Sequence, residues 1–206
     1  MIKVAITGGI GSGKTTICNL FHDLGVPIYL SDERAAWLEN NSPKLKASIK
    51  CLFGDSIYID DKFDKPTVRK LVFDDPKLLQ DLSKLITPAL MEDFRSFCFD
   101  YEHFPYVLFE SAIVIEQNKH NNFDYLIVVS APEEERIKRA AKRDSSTETL
   151  VRKRIANQLP ESKKVELADR VIENFNREKS HLLEEIKEIH ELLIRKSKGY
   201  AEYIIS

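Results

Sequence analysis

The chain has 206 residues, 43% of them apolar, which suits one globular unit carrying inserted subdomains. Lys and Arg number 31 against 33 Asp and Glu, and a net charge of -2 excludes any global attraction to nucleic acid or to anionic membranes. The three cysteines, Cys18, Cys51 and Cys98, are far apart and form no CxxC pair, so they indicate neither a zinc site nor a disulfide framework.

Residues 3–7 read as a short buried strand that opens almost directly after Met1, without a basic-then-apolar leader. No apolar run approaches the ~20 residues that a membrane helix needs, and a cytoplasmic protein is expected. Glycines follow the strand, and residues 14–24 read as a helix with Ile17, Leu20, Phe21 and Leu24 at helical spacing. Gly25 ends it, and residues 26–30 read as a second strand. This βαβ opening predicts a parallel, three-layer α/β/α sheet. Residues 33–100 carry three helical stripes broken by Gly54, Pro66, Pro76 and Pro88. The sheet resumes at residues 106–109, which lead into Glu110-Ser111, and again at residues 125–129. A basic helical stretch runs from Glu133 to about Gln158, residues 170–172 read as the last strand, and a long amphipathic helix follows. The expected organisation is one domain with core segments 1–32, 101–135 and 166–206, a helical insertion at 33–100 and a lid at 136–165.

Gly8-Gly9-Ile10-Gly11-Ser12-Gly13-Lys14-Thr15 matches G-x-x-x-x-G-K-[ST] throughout. Glycines allow backbone N–H groups to converge on phosphate oxygens, and the new helix aims its positive end at the same anion. The motif assigns nucleotide contacts to Gly8, Gly11, Ser12, Gly13, Lys14, Thr15 and Thr16. Lys14 would reach the β- and γ-phosphates of ATP, and the Thr15 hydroxyl would be a ligand for Mg²⁺.

Such a loop also serves GTPase switches. Asn118-Lys119-His120-Asn121 approaches the guanine-reading N-K-x-D, but the acid is missing and no strand leads into it. A kinase needs cations that close over the transferring phosphoryl group and exclude water. Eight basic residues lie between Arg136 and Arg154, opposed only by Asp144 and Glu148. Arg136, Arg139 and Arg143 share one helix face at i, i+3 and i+7, and predict a cationic lid. An acceptor hydroxyl needs a carboxylate to orient it and take its proton. Asp32 stands just after the second strand, at the edge where parallel sheets bind ligands. Spacing alone leaves Asp32 open between this role and a helix N-cap. It also leaves open whether Glu110 or Glu116 attends the metal.

The opening Ala5-Ile6-Thr7-Gly8-Gly9-Ile10-Gly11-Ser12-Gly13-Lys14-Thr15 resembles that of bacterial dephospho-CoA kinases, a pattern much narrower than the general phosphate loop. Asp32, Ile86-Thr87-Pro88, Ser111 to Glu116, Arg136 to Asp144, and Gln158 through Ala168-Asp169-Arg170-Val171-Ile172-Glu173-Asn174 fall in that family's order. The sequence departs from it at Ser31, Thr87, Ala112 and Phe175. The resemblance implies transfer of the ATP γ-phosphoryl to the ribose 3′-hydroxyl of dephospho-CoA. It implies Asp32 as acceptor base, Lys14 as phosphate clamp, Thr7 near the reacting groups, Arg139 or Arg143 as lid cations, and residues 33–100 as acceptor-binding helices. The expected partner is this small molecule alone, with neither nucleic acid nor membrane, and the expected state is a monomer.

Overall fold

The computed structural model describes residues 1–73 and 75–205. Positions 74 and 206, which the sequence reading assigns to the insertion and the core, lie outside the described residues. The chain divides into two compact units, Met1–Tyr29 with Tyr101–Ser206, and Leu30–Asp100. The first opens with β1 (Ile2–Thr7), α1 (Lys14–Asp23) and β2 (Ile28–Leu30). The second holds α2 (Ser31–Asn41), α3 (Pro43–Phe53), a hairpin of β3 (Tyr58–Ile59) and β4 (Lys62–Phe63), α4 (Lys65–Phe73) and α5 (Pro76–Asp100). The chain returns through β5 (Tyr106–Glu110), β6 (Tyr125–Ser130), α6 (Glu133–Arg143) and α7 (Glu148–Ala156). It finishes with α8 (Glu161–Leu167), β7 (Arg170–Glu173) and α9 (Lys179–Ile205). The two units meet within β2, between Tyr29 and Leu30, and α2 follows β2 with no loop between them.

In the first unit the sheet order is β2-β5-β1-β6-β7, and β1 lies parallel to both β5 and β6, as β6 does to β7. Parallel strands covered on both faces need apolar residues at successive positions, which Tyr125 to Val129 supply. Ile2, Val4 and Ile6 turn to one face, where they pack with Ile17 and Phe21 of α1 and Ile186, Ile189 and Leu193 of α9. Ala5, Leu126 and Val128 turn to the other, against Val114, Ile115, Leu159 and Ala168. The expected three-layer α/β/α arrangement with a parallel sheet is therefore present, and its middle strand, β1, carries the glycine loop at its C-terminal end.

The second unit closes on Leu38, Leu45, Ile49, Ile57, Val68 and Leu82. Arg34 of α2 meets Asp93 of α5 in a two-pronged pair at 2.9 and 2.6 Å. Two of the expected helix breaks are helix starts, since Pro66 and Pro76 occupy the first turns of α4 and α5. Pro88 does not end a helix either: α5 runs 25 residues through it. The carbonyl of Lys84 loses its helical partner there, and both residues line a cavity of about 550 Å³, so space on that side accommodates the ring.

The basic helical stretch expected from Glu133 to about Gln158 consists of two helices, α6 and α7. Ser145 takes a left-handed conformation at φ 47°, and the Thr147 side chain caps α7 by accepting from the Leu150 amide. Among the described residues no helix is long and apolar enough to cross a membrane.

Candidate active site

The loop from Gly8 to Gly13 folds back on itself through a Ser12 N–H to Gly9 carbonyl bond of 3.1 Å, and α1 begins at Lys14. Gly13, at φ 91°, is the N-cap residue, so the first turn of α1 points its amides out of the loop. Gly11 sits at φ 78°, and a Cβ there would overlap the backbone carbonyl of Arg136. The left-handed backbone and the fixed carbonyl both forbid a side chain. Gly11→Ala is expected to weaken ATP binding at least about tenfold and to lower the melting temperature by several degrees. Nucleotide titration with parallel thermal denaturation measures both.

Lys14 Nζ donates to the Gly8 carbonyl at 3.0 Å and lies 3.5 Å from that of Gly9, which holds the ammonium over the loop. Thr7 and Ser12 are fully buried, and among the described residues Thr7 Oγ1 and Ser12 Oγ have no hydrogen-bond partner. Orphaned hydroxyls at a glycine loop are polar capacity that a phosphate group and its hydrated cation can engage. Thr15 and Thr16 are exposed in the first turn of α1. Among the described residues no group of three or more His, Cys, Asp or Glu side chains is placed to hold a metal ion.

Glu110 ends β5, the strand beside β1. Its charge and that of Lys14 both act on the Cys18 thiol of α1, the first raising and the second lowering its pKa, so Glu110 stands near the first turn of α1. Glu116 is committed elsewhere: it pairs with the buried Lys164 ammonium at 2.6 Å and accepts from the Leu159 amide. Of the two acids, Glu110 is the one whose charge is felt in α1. Burial, the largest cause, pushes the Cys18 thiol from 9.0 up to about 12. At pH 8 its thiolate fraction is on the order of 10⁻⁴, so iodoacetamide is expected to label exposed Cys51 in the native protein and spare Cys18. The sign for stability follows. The unfolded thiol ionises first, so the contribution of Cys18 is intact below pH 9.0 and is lost as pH climbs toward about 12.

The arginine face splits three ways. Arg136, 5% exposed, donates through Nε to the Ala131 carbonyl at 3.0 Å, and its Nη2 lies 3.0 Å from Glu161 Oε2. Arg139 Nη1 donates to the Asn174 carbonyl at 3.0 Å and stands 3.9 Å from where a Cβ on Gly13 would be, so it flanks the phosphate loop. Arg143 is taken up by Asp144, with Nε 2.7 Å from the carboxylate. Hydrogen bonds from Arg143, then Arg154, hold the Asp144 carboxyl well below the usual carboxylate range.

Asp32 belongs to the second unit, exposed in the first turn of α2. The cap is Leu30, and no side chain caps this helix end, which answers the N-cap alternative: the carboxylate is not spent on the backbone. Glu39, two turns on, lies on the same face. Burial first, and then the negative charge of Asp32, raise its pKa, while Lys65 and Arg69 oppose the rise. Sequence reasoning passed over Arg136 as a structural arginine, over Glu161, and over the two amides that touch the loop, Gln158 and Asn174; only the family resemblance contained the last two.

A parallel sheet with a phosphate loop on its central strand and an arginine from a following helix beside that loop defines a P-loop kinase. The comparisons sharpen this. The dephospho-CoA kinase family model matches residues 2–180, and the chain belongs to that family. The dephospho-CoA kinase of Chlorobium luteolum is 33% identical over 198 residues, covering 93% of this chain and 90% of that one. A crystal structure from Thermus thermophilus superposes with a TM-score of 0.80 at 29% identity, covering 93% of this chain and 97% of its own. Shikimate kinase from Acinetobacter baumannii shares the fold at a TM-score of 0.52 and 15% identity, over 95% of this chain and 94% of that one.

Proposed function

We infer that this chain transfers the γ-phosphoryl group of ATP to the ribose 3′-hydroxyl of dephospho-CoA, giving coenzyme A and ADP in the last step of coenzyme A synthesis. The observation that carries the reading is a complete phosphate loop with Arg139 beside it, in a chain of the dephospho-CoA kinase family. The loop amides and Lys14 bind the triphosphate. Thr15 would hold Mg²⁺ and Glu110 would attend its water shell, and the ion would supply neutralisation of charge on the β- and γ-phosphates. Asp32 orients the 3′-hydroxyl and takes its proton as the oxygen attacks the γ-phosphorus, and the bond from that phosphorus to the β–γ bridging oxygen breaks. Arg139 and Arg143 meet the charge on the transferring group, and Thr7 lines the reacting region. Helices of residues 33–100 bind the acceptor; supporting this, that unit contains its own cavity, lined by apolar Leu38, Leu45, Leu85 and Ala89 beside Lys44 and Lys84. The reading extends to a cytoplasmic monomer with no nucleic-acid or membrane partner, in keeping with the balanced charge of the chain.

An ADP-release assay over a panel of acceptors tests the substrate. Turnover with dephospho-CoA, and none with nucleosides, nucleotides or shikimate, is the expected result. Turnover confined to any of the other acceptors overturns it.

A further inference from the structure

Two side-chain amides that the transfer chemistry leaves unused grip the phosphate loop by backbone groups that already have protein partners. Gln158 Oε1 accepts from the Ile10 N–H at 2.9 Å, across 148 residues of sequence. Asn174 Nδ2 donates to the Ser12 carbonyl at 2.9 Å, across 162 residues. Asn174 also turns its backbone carbonyl to Arg139 Nη1 at 3.0 Å. The side-chain amide occupies the space where a Cβ of Gly13 would sit. One residue therefore touches the loop with its side chain and the arginine with its main chain.

We propose that Asn174 is a positioning residue that couples Arg139 to the phosphate loop, with Gln158 as a second tie on the same loop. The inference rests on the kinase reading above and deepens it.

A phosphate loop must present N–H groups to the anion, so those groups cannot be used to shape the loop itself. The shape has to be set by backbone groups that do not serve the anion, and Ile10 N–H and Ser12 C=O are two of them. Holding them with fixed amides fixes the direction of the remaining donors before nucleotide arrives, which is where preorganised sites gain their advantage over water. The placing of Arg139 follows from the same anchor. If Asn174 lets go of Ser12, only its backbone N–H bond to the Ser130 carbonyl at 2.8 Å still holds it, and the carbonyl that aims the arginine is less firmly fixed. Gln158 ties the chain just after α7 directly to Ile10, and Arg139 within α6 is linked to the loop through Asn174.

The test uses the full chain with Asn174→Ala, Asn174→Asp, Gln158→Met, Arg139→Met and the double variant Asn174→Ala/Arg139→Met. The readouts are KM for ATP, KM for dephospho-CoA, kcat, melting temperature, and the affinity for a non-hydrolysable ATP analogue. Asn174→Ala is expected to lower kcat/KM for ATP by about 30- to 100-fold with KM for dephospho-CoA within about twofold. The isosteric Asn174→Asp keeps the size but cannot donate to the Ser12 carbonyl, and should be no better than Ala. The double variant should fall within a few-fold of Arg139→Met alone, since the two act as one unit. Three results overturn the proposal: wild-type ATP parameters in Asn174→Asp, multiplicative losses in the double variant, or equal losses in both KM values tracking a fall in melting temperature. Should Asn174→Ala not fold, Asn174→Asp and Gln158→Met carry the same comparison. A wild-type protein inactive on dephospho-CoA would sink the kinase reading instead. The coupling is then read from analogue affinity, expected to drop at least tenfold in Asn174→Ala, and an unchanged affinity overturns it.

Discussion

Replacing Asp32 by Asn is expected to lower kcat for phosphorylation of dephospho-CoA by about 10³-fold or more while KM for ATP stays within about twofold, because a positioned proton acceptor contributes on the order of 10²–10⁴ in rate. The variant is isosteric and preserves the exposed first turn of α2, whose end is capped by Leu30 and makes no side-chain cap bond, so the charge takes with it only the helix-dipole contribution of about 0.3–1 kcal/mol. Asn can still hydrogen-bond the 3′-hydroxyl, but it cannot accept its proton during attack. The loss therefore belongs in kcat, and nucleotide binding, a property of the loop between Gly8 and Thr15, is left intact. Steady-state kinetics with an ATP-analogue titration separate the two. Asp32→Asn with full turnover would remove this residue from the mechanism and shift attention to the other carboxylate on the same face of α2, Glu39.

The parts of the molecule that were legible in the sequence are those where one local rule decides the structure. A buried parallel strand needs a continuous apolar run, and a phosphate loop needs glycines and a Lys at fixed positions, so β1, α1 and the loop could be read directly. Where two rules compete, the sequence misled. Pro88 has the mark of a helix end, yet α5 continues because packing along its other residues outweighs one lost backbone bond. The β3–β4 hairpin turns on Asp60 and Asp61, both left-handed at φ 48° and 64°, in place of the glycine-containing pairs that usually announce such a turn. Lys164 lies in a short segment rich in charged residues, yet it is 1% exposed, and its partner Glu116 lies on a distant part of the chain. The arginine stripe was legible as a stripe, and periodicity could not say which member faces what. That depends on Glu161, Asn174 and Asp144, whose positions are set by tertiary structure.

That division of labour gives the second large effect. Arg139→Met is expected to lower kcat by about 10³-fold, the scale set by arginines that stabilise a transferring phosphoryl group, with KM for ATP raised less than about tenfold. Arg139 is the arginine whose guanidinium stands beside Gly13 at the head of α1, with the Asn174 carbonyl aiming it. Arg143 begins from a different state, bound to Asp144 through Nε and Nη2 and 61% exposed at its side chain. An exposed pair of this kind is worth little, so Arg143 can be drawn to the phosphates at small cost, but nothing holds it there beforehand. Arg143→Met should therefore cost only about tenfold, in line with a charge that is not preorganised. Arg139→Lys separates charge from shape. An ammonium keeps the charge but cannot direct one N–H to Asn174 and another to the phosphoryl oxygens in the plane of a guanidinium, so its rate should fall between wild type and Met. Rapid-quench measurement of the transfer step, which avoids masking by product release, gives the three rates. Equal losses at Arg139 and Arg143 would mean that the two arginines share the phosphoryl group, and that the contact with Asn174 confers no advantage on the first.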